Sequence, residues 1–411
     1  MKIALVGCGY VADYYMATLR LHPRLRLVGA CDKSPERCRA FGAFYGVPTF
    51  PTIKALLDAT DPELVLNLTD PASHYEVSKL LLEAGRHVYT EKPLAMDFEQ
   101  AQELTRIADS RNLSISGAPC TIHGDSARRV WQALTEGLIG QVRLVYASLE
   151  DGMVFRTQYA NWRSASGAPW PYQDEFALGC TVVHAGYWLS WLLAYFGPVK
   201  RMTAHTSCLF PDKGLGQTQA SPDFSVASLV FSSGVVARLT CGLVAPADRS
   251  MHIIGDKGTL TIANAWDNRS AIHFQLNKPE MTDVAWRARN KIKKLMLAGV
   301  QRFAPGAFWG GRRLALAPGG AHLRSRTQKM DFLIGVEDQA IALDEGGTPL
   351  ISANHLLHAT ELVLAIHNSD RLPQPYTPQS RFDHDGIKRK LRSVGQEGAM
   401  PPARGNASRR A

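Results

Sequence analysis

An apolar, β-favouring run from Met1 to Val6 leads straight into Gly7-x-Gly9-x-x-Ala12, and Asp13 to Leu19 continues at helical spacing. That order predicts a strand, a tight turn and a helix. The alternation then repeats. Arg26 to Cys31 reads as a second strand ending at Asp32, and Ser34-Pro35 supplies an N-cap with proline at the first helical position. A helix over 53–59 leads into Leu64-Val65-Leu66-Asn67-Leu68, an apolar run that reads as a strand buried on both faces. Thr69-Asp70-Pro71-x-x-His74 turns into a helix over 75–84. His87 to Thr90 is a further strand, ending at Glu91-Lys92-Pro93, and a helix over 97–111 and a strand over 113–117 complete the set. Strands and helices alternating at this interval predict an α/β, doubly wound parallel sheet of the Rossmann type over 1–118.

The pattern changes near residue 119. A helix over 124–136 ends at Gly137, and Val142 to Leu149 reads as a long strand. Further strands are predicted at 199–207, 224–232, 234–244 and 258–263, with helices at 182–195 and 350–367. Short turns such as Ser232-Ser233-Gly234 join several of the strands, which suits a large, mostly antiparallel sheet. Residues 119–385 are therefore expected to form an α+β domain for substrate binding and oligomerisation. Residues from about 271 to 327 read as an insertion, and 386–411, rich in Gly, Pro, Arg and Ser, as a basic disordered tail.

The first turn carries a recognisable chemistry. Gly7 permits the turn, Gly9 lets backbone approach a pyrophosphate, and small Ala12 lets the helix pack on the strand. The phosphate charge then sits at a helix N-terminus, where free N–H groups and the macrodipole favour an anion. Asp32 follows ~20 residues later, where an acid takes the ribose hydroxyls of a dinucleotide. An acid there favours a free 2′-hydroxyl, hence NAD, while Lys33 and Arg37 soften the repulsion of a 2′-phosphate and keep NADP open.

With the glycine turn, Asp32, Thr69-Asp70-Pro71-x-x-His74 and Glu91-Lys92-Pro93 in hand, the chain resembles the Gfo/Idh/MocA oxidoreductases, relatives of glucose–fructose oxidoreductase and inositol dehydrogenase. The likeness runs over roughly 1–270 and 328–378. It implies a nicotinamide cofactor, a sugar, cyclitol or sugar-derived substrate, and homo-oligomers built through the large sheet. Its cofactor-binding residues would be Gly7, Gly9, Tyr10, Val11, Asp32 and Arg37, followed by Thr69, His74, Glu91 and Lys92.

Oxidising a secondary alcohol by hydride transfer requires removal of the hydroxyl proton and a donor or cation that steadies the oxygen. Lys92, at the C-terminal end of a strand in an open α/β sheet, is placed for the second task. For the first, the resemblance points to Gly179–Leu193. Aligned on the Trp-Leu run, His184 falls on the family histidine, Cys180 on one family aspartate and Tyr187 on another. A cysteine does not replace a carboxylate unless its pKa falls well below ~8.5. Three readings stay open: His184 acts with Asp174 or Glu175 tuning it, Tyr187 carries the proton one turn along, or ordinary alcohol oxidation is lost. Upstream, Trp162, Arg163 and Trp170 belong to an aromatic loop that suits sugar-ring stacking and an anionic group, or simply holds itself down. His123 and Asp125 near the junction are further candidates.

Composition narrows the setting. With 411 residues, 45% hydrophobic and 20% charged, the chain has ordinary globular proportions for two domains. Seven scattered cysteines show no C-x-x-C pair and no zinc spacing, so no metal is expected and a reduced, cytoplasmic setting is. No apolar run reaches the ~20 residues of a membrane span, and a strand starting at Met1 leaves no room for a leader. The net charge of +9 is uneven: residues 284–330 hold eleven Lys/Arg and no acid, and the tail is also basic, so the remainder is net acidic. From 286 to 303 the basic residues surround an apolar helical face, which fits a peripheral contact with anionic membrane, a solvated packed element or a lid. No aromatic–basic platform accompanies this charge, which argues against nucleic acid.

These features converge on an NAD(P)-dependent oxidoreductase interconverting a secondary hydroxyl and ketone on a sugar, cyclitol or sugar nucleotide. The alternatives are an NAD-dependent glycoside-cleaving or eliminating enzyme with transient oxidation, and a non-catalytic NAD-binding regulator.

Overall fold

The computed structural model describes residues 1–214, 221–277, 291, 312–316 and 329–397. Six strands, β1 (Lys2–Val6), β2 (Arg26–Cys31), β3 (Thr49–Phe50), β4 (Leu64–Asn67), β5 (His87–Thr90) and β6 (Ile115–Gly117), form a parallel sheet in the order β3-β2-β1-β4-β5-β6. Helices α1 (Tyr10–Thr18), α2 (Pro35–Tyr45), α3 (Ile53–Thr60), α4 (His74–Glu83) and α5 (Phe98–Ser110) connect them. Every residue of β4 is buried, as its unbroken apolar run requires. The Ser34 hydroxyl caps α2 by accepting the Arg37 amide, with Pro35 at the first helical position.

Helix α6 (Asp125–Thr135) leads to a second sheet of eight strands. These are β7 (Val142–Glu150), β8 (Val199–Ser207), β9 (Phe224–Phe231), β10 (Val236–Gly242), β11 (Met251–Gly255), β12 (Gly258–Ile262), β13 (Ile272–Leu276) and β14 (Arg312–Arg313). Their order is β14-β13-β12-β11-β7-β10-β9-β8, antiparallel except where β7 meets β10. Helices α7 (Tyr172–Leu178) and α8 (Cys180–Phe196) follow β7, and α9 (Ile334–Asp344), α10 (Ala353–His367) and α11 (His384–Glu397) close the described chain. Helix α8 is apolar nearly all round because it lies in the interior. Three of its polar handles are satisfied there: Trp188 donates to Ser148 O at 2.9 Å, Trp191 to Thr121 Oγ1 at 3.1 Å, and Tyr195 to Ala127 O at 2.7 Å. Among the described residues no single helix is long and apolar enough to cross a membrane.

Two expectations are corrected. Part of the stretch read as an insertion belongs to the sheet, because Ile272-His273-Phe274-Gln275-Leu276 alternates apolar and polar and adds β13 between β12 and β14. The tail read as disordered from 386 is helical as far as Glu397. Ile387 and Leu391, four residues apart, bury one face, and Lys390 pairs with Asp338 at 2.8 Å. A composition average over 386–411 hides that stripe. The basic stretch 286–303 lies outside the described residues apart from Lys291. Strand β11 and helices α7 and α9 are further elements that the apolar pattern did not reveal.

Helix α9 returns from the C-terminal side to cover the first sheet. Val336 and Ala340 join the core around Ile3, Leu5 and Tyr89, Phe332 just ahead of them stacks on Tyr14 at 5.2 Å, and the Gln339 side-chain amide donates to Val88 O at 3.1 Å.

Three histidines set an acid limit on stability. Burial pushes the His355 pKa down to about 3, and those of His358 and His184 down to about 4. All three are neutral when folded and titrate near 6.5 when unfolded. As pH falls below 6.5 the unfolded chain takes up protons that the folded chain refuses, so each removes about 1.4 kcal/mol per pH unit until its folded pKa is reached. Melting temperature is expected to drop steadily from pH 6.5 to 4. Neither ring nitrogen of His355 has a hydrogen-bond partner, and the ring lies 5.0 Å from that of Phe382. His355→Phe should therefore raise the melting temperature more at pH 5 than at pH 7.5; an equal shift at both would refute the titration account.

Candidate active site

Strand order in the first sheet reverses between β1 and β4, and open parallel sheets bind ligands beyond the strand ends at such a reversal. The glycine turn leaves β1 there. Gly7 has φ +100°, and a Cβ on it would lie 2.5 Å from the Leu68 carbonyl oxygen just past β4. Gly9 is the opposite case, since a Cβ there would meet no atom within 4 Å. Gly9, Tyr10 and Val11 line a cleft of about 1160 Å³, and no side chain caps the start of α1. An uncapped helix N-terminus beside open space fits the pyrophosphate of a dinucleotide.

Asp32 is fixed against this turn. Its Oδ2 accepts the Cys8 amide at 2.7 Å and its Oδ1 the Ser34 amide at 2.7 Å. Lys33 pairs with Asp70 at 2.9 Å, whereas Arg37 lines the cleft with no ion-pair partner among the described residues.

Several residues expected to touch a cofactor line the cleft and also brace it. The Thr69 hydroxyl donates to Asn67 Oδ1 at 2.7 Å. His74 is fully buried, with Nδ1 2.7 Å from Pro93 O and Nε2 3.1 Å from Thr69 O. Burial holds its pKa below the usual value. Glu91 accepts the Tyr15 hydroxyl at 2.8 Å and the Lys92 amide at 3.1 Å. This bracing aims Lys92. Its Nζ donates to Val183 O at 2.8 Å and lies 5.5 Å from the centre of the Tyr187 ring. The lysine after β5 and the histidine helix α8 thus meet in one place.

His184 follows Val183, is 2% exposed, and stands edge-on to Trp266 with ring centres 5.8 Å apart. Burial is the main cause of its low pKa, with Asp151 opposing the shift and Lys92 and Arg249 adding to it. The imidazole is therefore neutral near pH 7 and able to accept a proton. Tyr187 lines the cleft, and burial pushes its phenol well above 10, so it stays protonated near pH 7. Cys180 faces away: its thiol donates to Cys241 O at 3.4 Å, and burial pushes it up to about 12.

Asp174 and Glu175 were the expected carboxylate neighbours of His184, and neither comes within ion-pair distance of it. Asp174 lies toward Lys33 and Arg37. Asp151, one residue past β7, takes the place, with Oδ2 3.9 Å from His184 Nε2. Its Oδ1 accepts from Arg249 Nε at 3.1 Å and also from Nη2, and the Arg249 guanidinium lies 4.1 Å from the Trp266 ring centre. Sequence reading missed all three. Asp151 had a weak signal as an acid at the end of a long predicted strand, but Arg249 precedes the unpredicted β11.

The aromatic loop packs on itself and also lines the cleft. Trp170 packs against Trp162, Tyr159 and Phe176, and Arg163 donates to Ala160 O at 2.8 Å and Trp162 O at 2.9 Å. Trp162 remains 39% exposed on the cleft wall. Ser166 binds Asp13 in the first turn of α1 through its amide at 3.1 Å and its hydroxyl at 2.8 Å, tying the loop to the glycine-turn helix. His123 is buried, and Asp125 pairs with Arg128 at 2.5 Å and with Arg269; neither lines the cleft.

Two family models match this chain. The one described as "Oxidoreductase family, NAD-binding Rossmann fold" covers residues 1–117, and "GFO/IDH/MocA C-terminal domain" covers 127–261. Among curated proteins, the D-apiose dehydrogenase of Paraburkholderia graminis is 25% identical over 66% of this chain and 69% of its own. The trans-1,2-dihydrobenzene-1,2-diol dehydrogenase of Danio rerio is 21% identical over 73% of this chain and 90% of its own. Among solved structures, the WlbA dehydrogenase from Bordetella pertussis, in complex with NADH and UDP-GlcNAcA, superimposes with a TM-score of 0.65. That match spans 91% of this chain and 98% of the other at 19% identity, a likeness of fold.

Proposed function

Because the chain belongs to the GFO/IDH/MocA oxidoreductases, with their NAD-binding Rossmann fold as its N-terminal part, we propose that it interconverts a secondary hydroxyl and a ketone on a sugar, cyclitol or sugar nucleotide. The observation that carries this reading is the meeting of Lys92 with the His184 helix inside the cleft that begins at Gly9. NAD supplies the hydride acceptor. Lys92 orients the substrate oxygen and steadies its developing negative charge, His184 takes the hydroxyl proton, and Tyr187 donates a hydrogen bond from its protonated phenol. Trp162 offers an aromatic face to the sugar ring, and Arg163 and Trp170 shape that wall. The sugar-directed name of the D-apiose relative supports the substrate class.

The fixed Asp32 carboxylate supports NAD over NADP, since a 2′-phosphate would face it while Lys33 is engaged by Asp70. Fluorescence titration should show NADH binding. A screen of sugars, cyclitols and sugar nucleotides with NAD should then raise absorbance at 340 nm for at least one class. Absence of NADH binding would sink the reading, and product formed without net NADH would move it to the cleaving alternative.

The bare face of the second sheet supports a homo-oligomer. The inward residues Val145, Ala147, Leu239 and Leu229 are buried, while outward Tyr146 is 36% exposed with Arg238 over its ring at 4.5 Å. Light scattering should report at least a dimer, which Tyr146→Glu weakens without loss of NADH binding; a wild-type monomer at micromolar concentration would refute this.

A further inference from the structure

His184 is buried, so a proton placed on it creates a cation in a site of low polarity that needs an opposing charge nearby. The charged groups bearing on its ring are Lys92 from the end of β5, Arg249 ahead of β11, and Asp151 past β7, with the Trp266 ring closing the side. Both cations oppose protonation, and Asp151 is the single carboxylate among them. Cys180, a neutral thiol turned toward Cys241, does not serve. His184 Nδ1 is buried without a hydrogen-bond partner, so Nε2, beside cleft-lining Asp151, is the nitrogen a ligand reaches. Nε2 and Asp151 Oδ2 are 3.9 Å apart, too far to bond each other. A single oxygen can nonetheless lie about 2.8 Å from both. Arg249 grips only the other carboxylate oxygen and is itself spread on Trp266, which keeps Oδ2 facing His184.

We propose that Asp151 is a catalytic residue that grips the reacting hydroxyl together with His184, and that Arg249 is its positioning residue. This rests on the oxidoreductase reading. In the oxidation direction the hydroxyl proton passes to His184 Nε2, the carbinol carbon gives its hydride to NAD, and the C–O bond becomes a carbonyl. The Asp151 carboxylate balances the imidazolium until the proton leaves to solvent.

Histidine-labelled full-length protein, titrated by nitrogen-15 NMR from pH 8 to 3.5 so that the His184 midpoint near 4 is crossed, tests the couple without substrate. His184 is assigned by its absence in His184→Gln. Arg249→Gln removes an opposing cation and frees Asp151, so the His184 midpoint should rise by about half a pH unit or more. Adding Asp151→Asn should cancel that rise. A rise that persists in the double variant, or none in the single one, overturns the proposal. On any sugar or sugar nucleotide that the wild type oxidises, Asp151→Asn should lower kcat about 100-fold with NADH affinity kept; an unchanged kcat overturns it equally. If the wild type binds no NADH, the oxidoreductase reading falls alone, and the NMR result still decides whether Asp151 governs His184.

Discussion

Lys92→Ala is expected to lower kcat for sugar oxidation by roughly 10³-fold, on the order of 4 kcal/mol of transition-state stabilisation, while NADH affinity stays within about twofold. The separation follows from how the side chain is held. Glu91 and His74 fix the main chain around Lys92 through the Tyr15 hydroxyl, the Lys92 amide and Pro93 O, so truncation leaves the cleft wall standing. What disappears is one ammonium group held by Val183 O beside His184. A cation in a partly desolvated cleft stabilises a developing alkoxide far more than one in water does. Stopped-flow absorbance at 340 nm measures the step, and turnover surviving within tenfold of wild type would remove Lys92 from the chemistry.

The second large effect separates the two glycines of the first turn. Gly7→Ala puts a Cβ 2.5 Å from the Leu68 carbonyl oxygen, at φ +100°, where an L residue is strained. Leu68 cannot retreat, because its amide donates to Val6 O at 2.8 Å and holds β4 to β1. Strain and overpacking together should cost about 3 kcal/mol and lower the melting temperature by several degrees. Gly9→Ala meets nothing within the protein, so its melting temperature should match wild type. Its methyl group instead occupies the approach to the phosphates, and NADH affinity should fall by roughly 100-fold. Calorimetry and fluorescence titration on the same two proteins decide the matter. A Gly9→Ala variant that binds NADH normally would show that the dinucleotide does not cross this turn.

The first sheet was legible because its strands are short apolar runs separated by glycine, proline and cap residues, and each of those marks has a local physical cause. Ser34 capping α2 and the buried run of β4 are examples. The second sheet was legible only where strands alternate cleanly. The five-residue β11 is too short to show a sustained alternation, and β13 adjoins a strongly basic stretch that dominated the local reading. In the site, Lys92 and His184 could be read because each sits in a motif with a fixed local setting. Asp151 and Arg249 could not, since they come together only when β7 lies beside β11 in the sheet. Long-range pairing of that kind leaves no mark on either segment.

Helix α9 bears on how this protein can be cut and recombined. Its Gln339 satisfies Val88 O, and Val336 and Ala340 seal the sheet that carries the glycine turn. The nucleotide-binding half is consequently not a portable module. A fragment ending after β6 would expose that apolar face and leave a main-chain carbonyl of β5 without its donor. Grafting a different second half onto residues 1–118 succeeds only if the graft brings a helix of its own to the same face, so the two halves are constrained to evolve, and to be engineered, as a matched set.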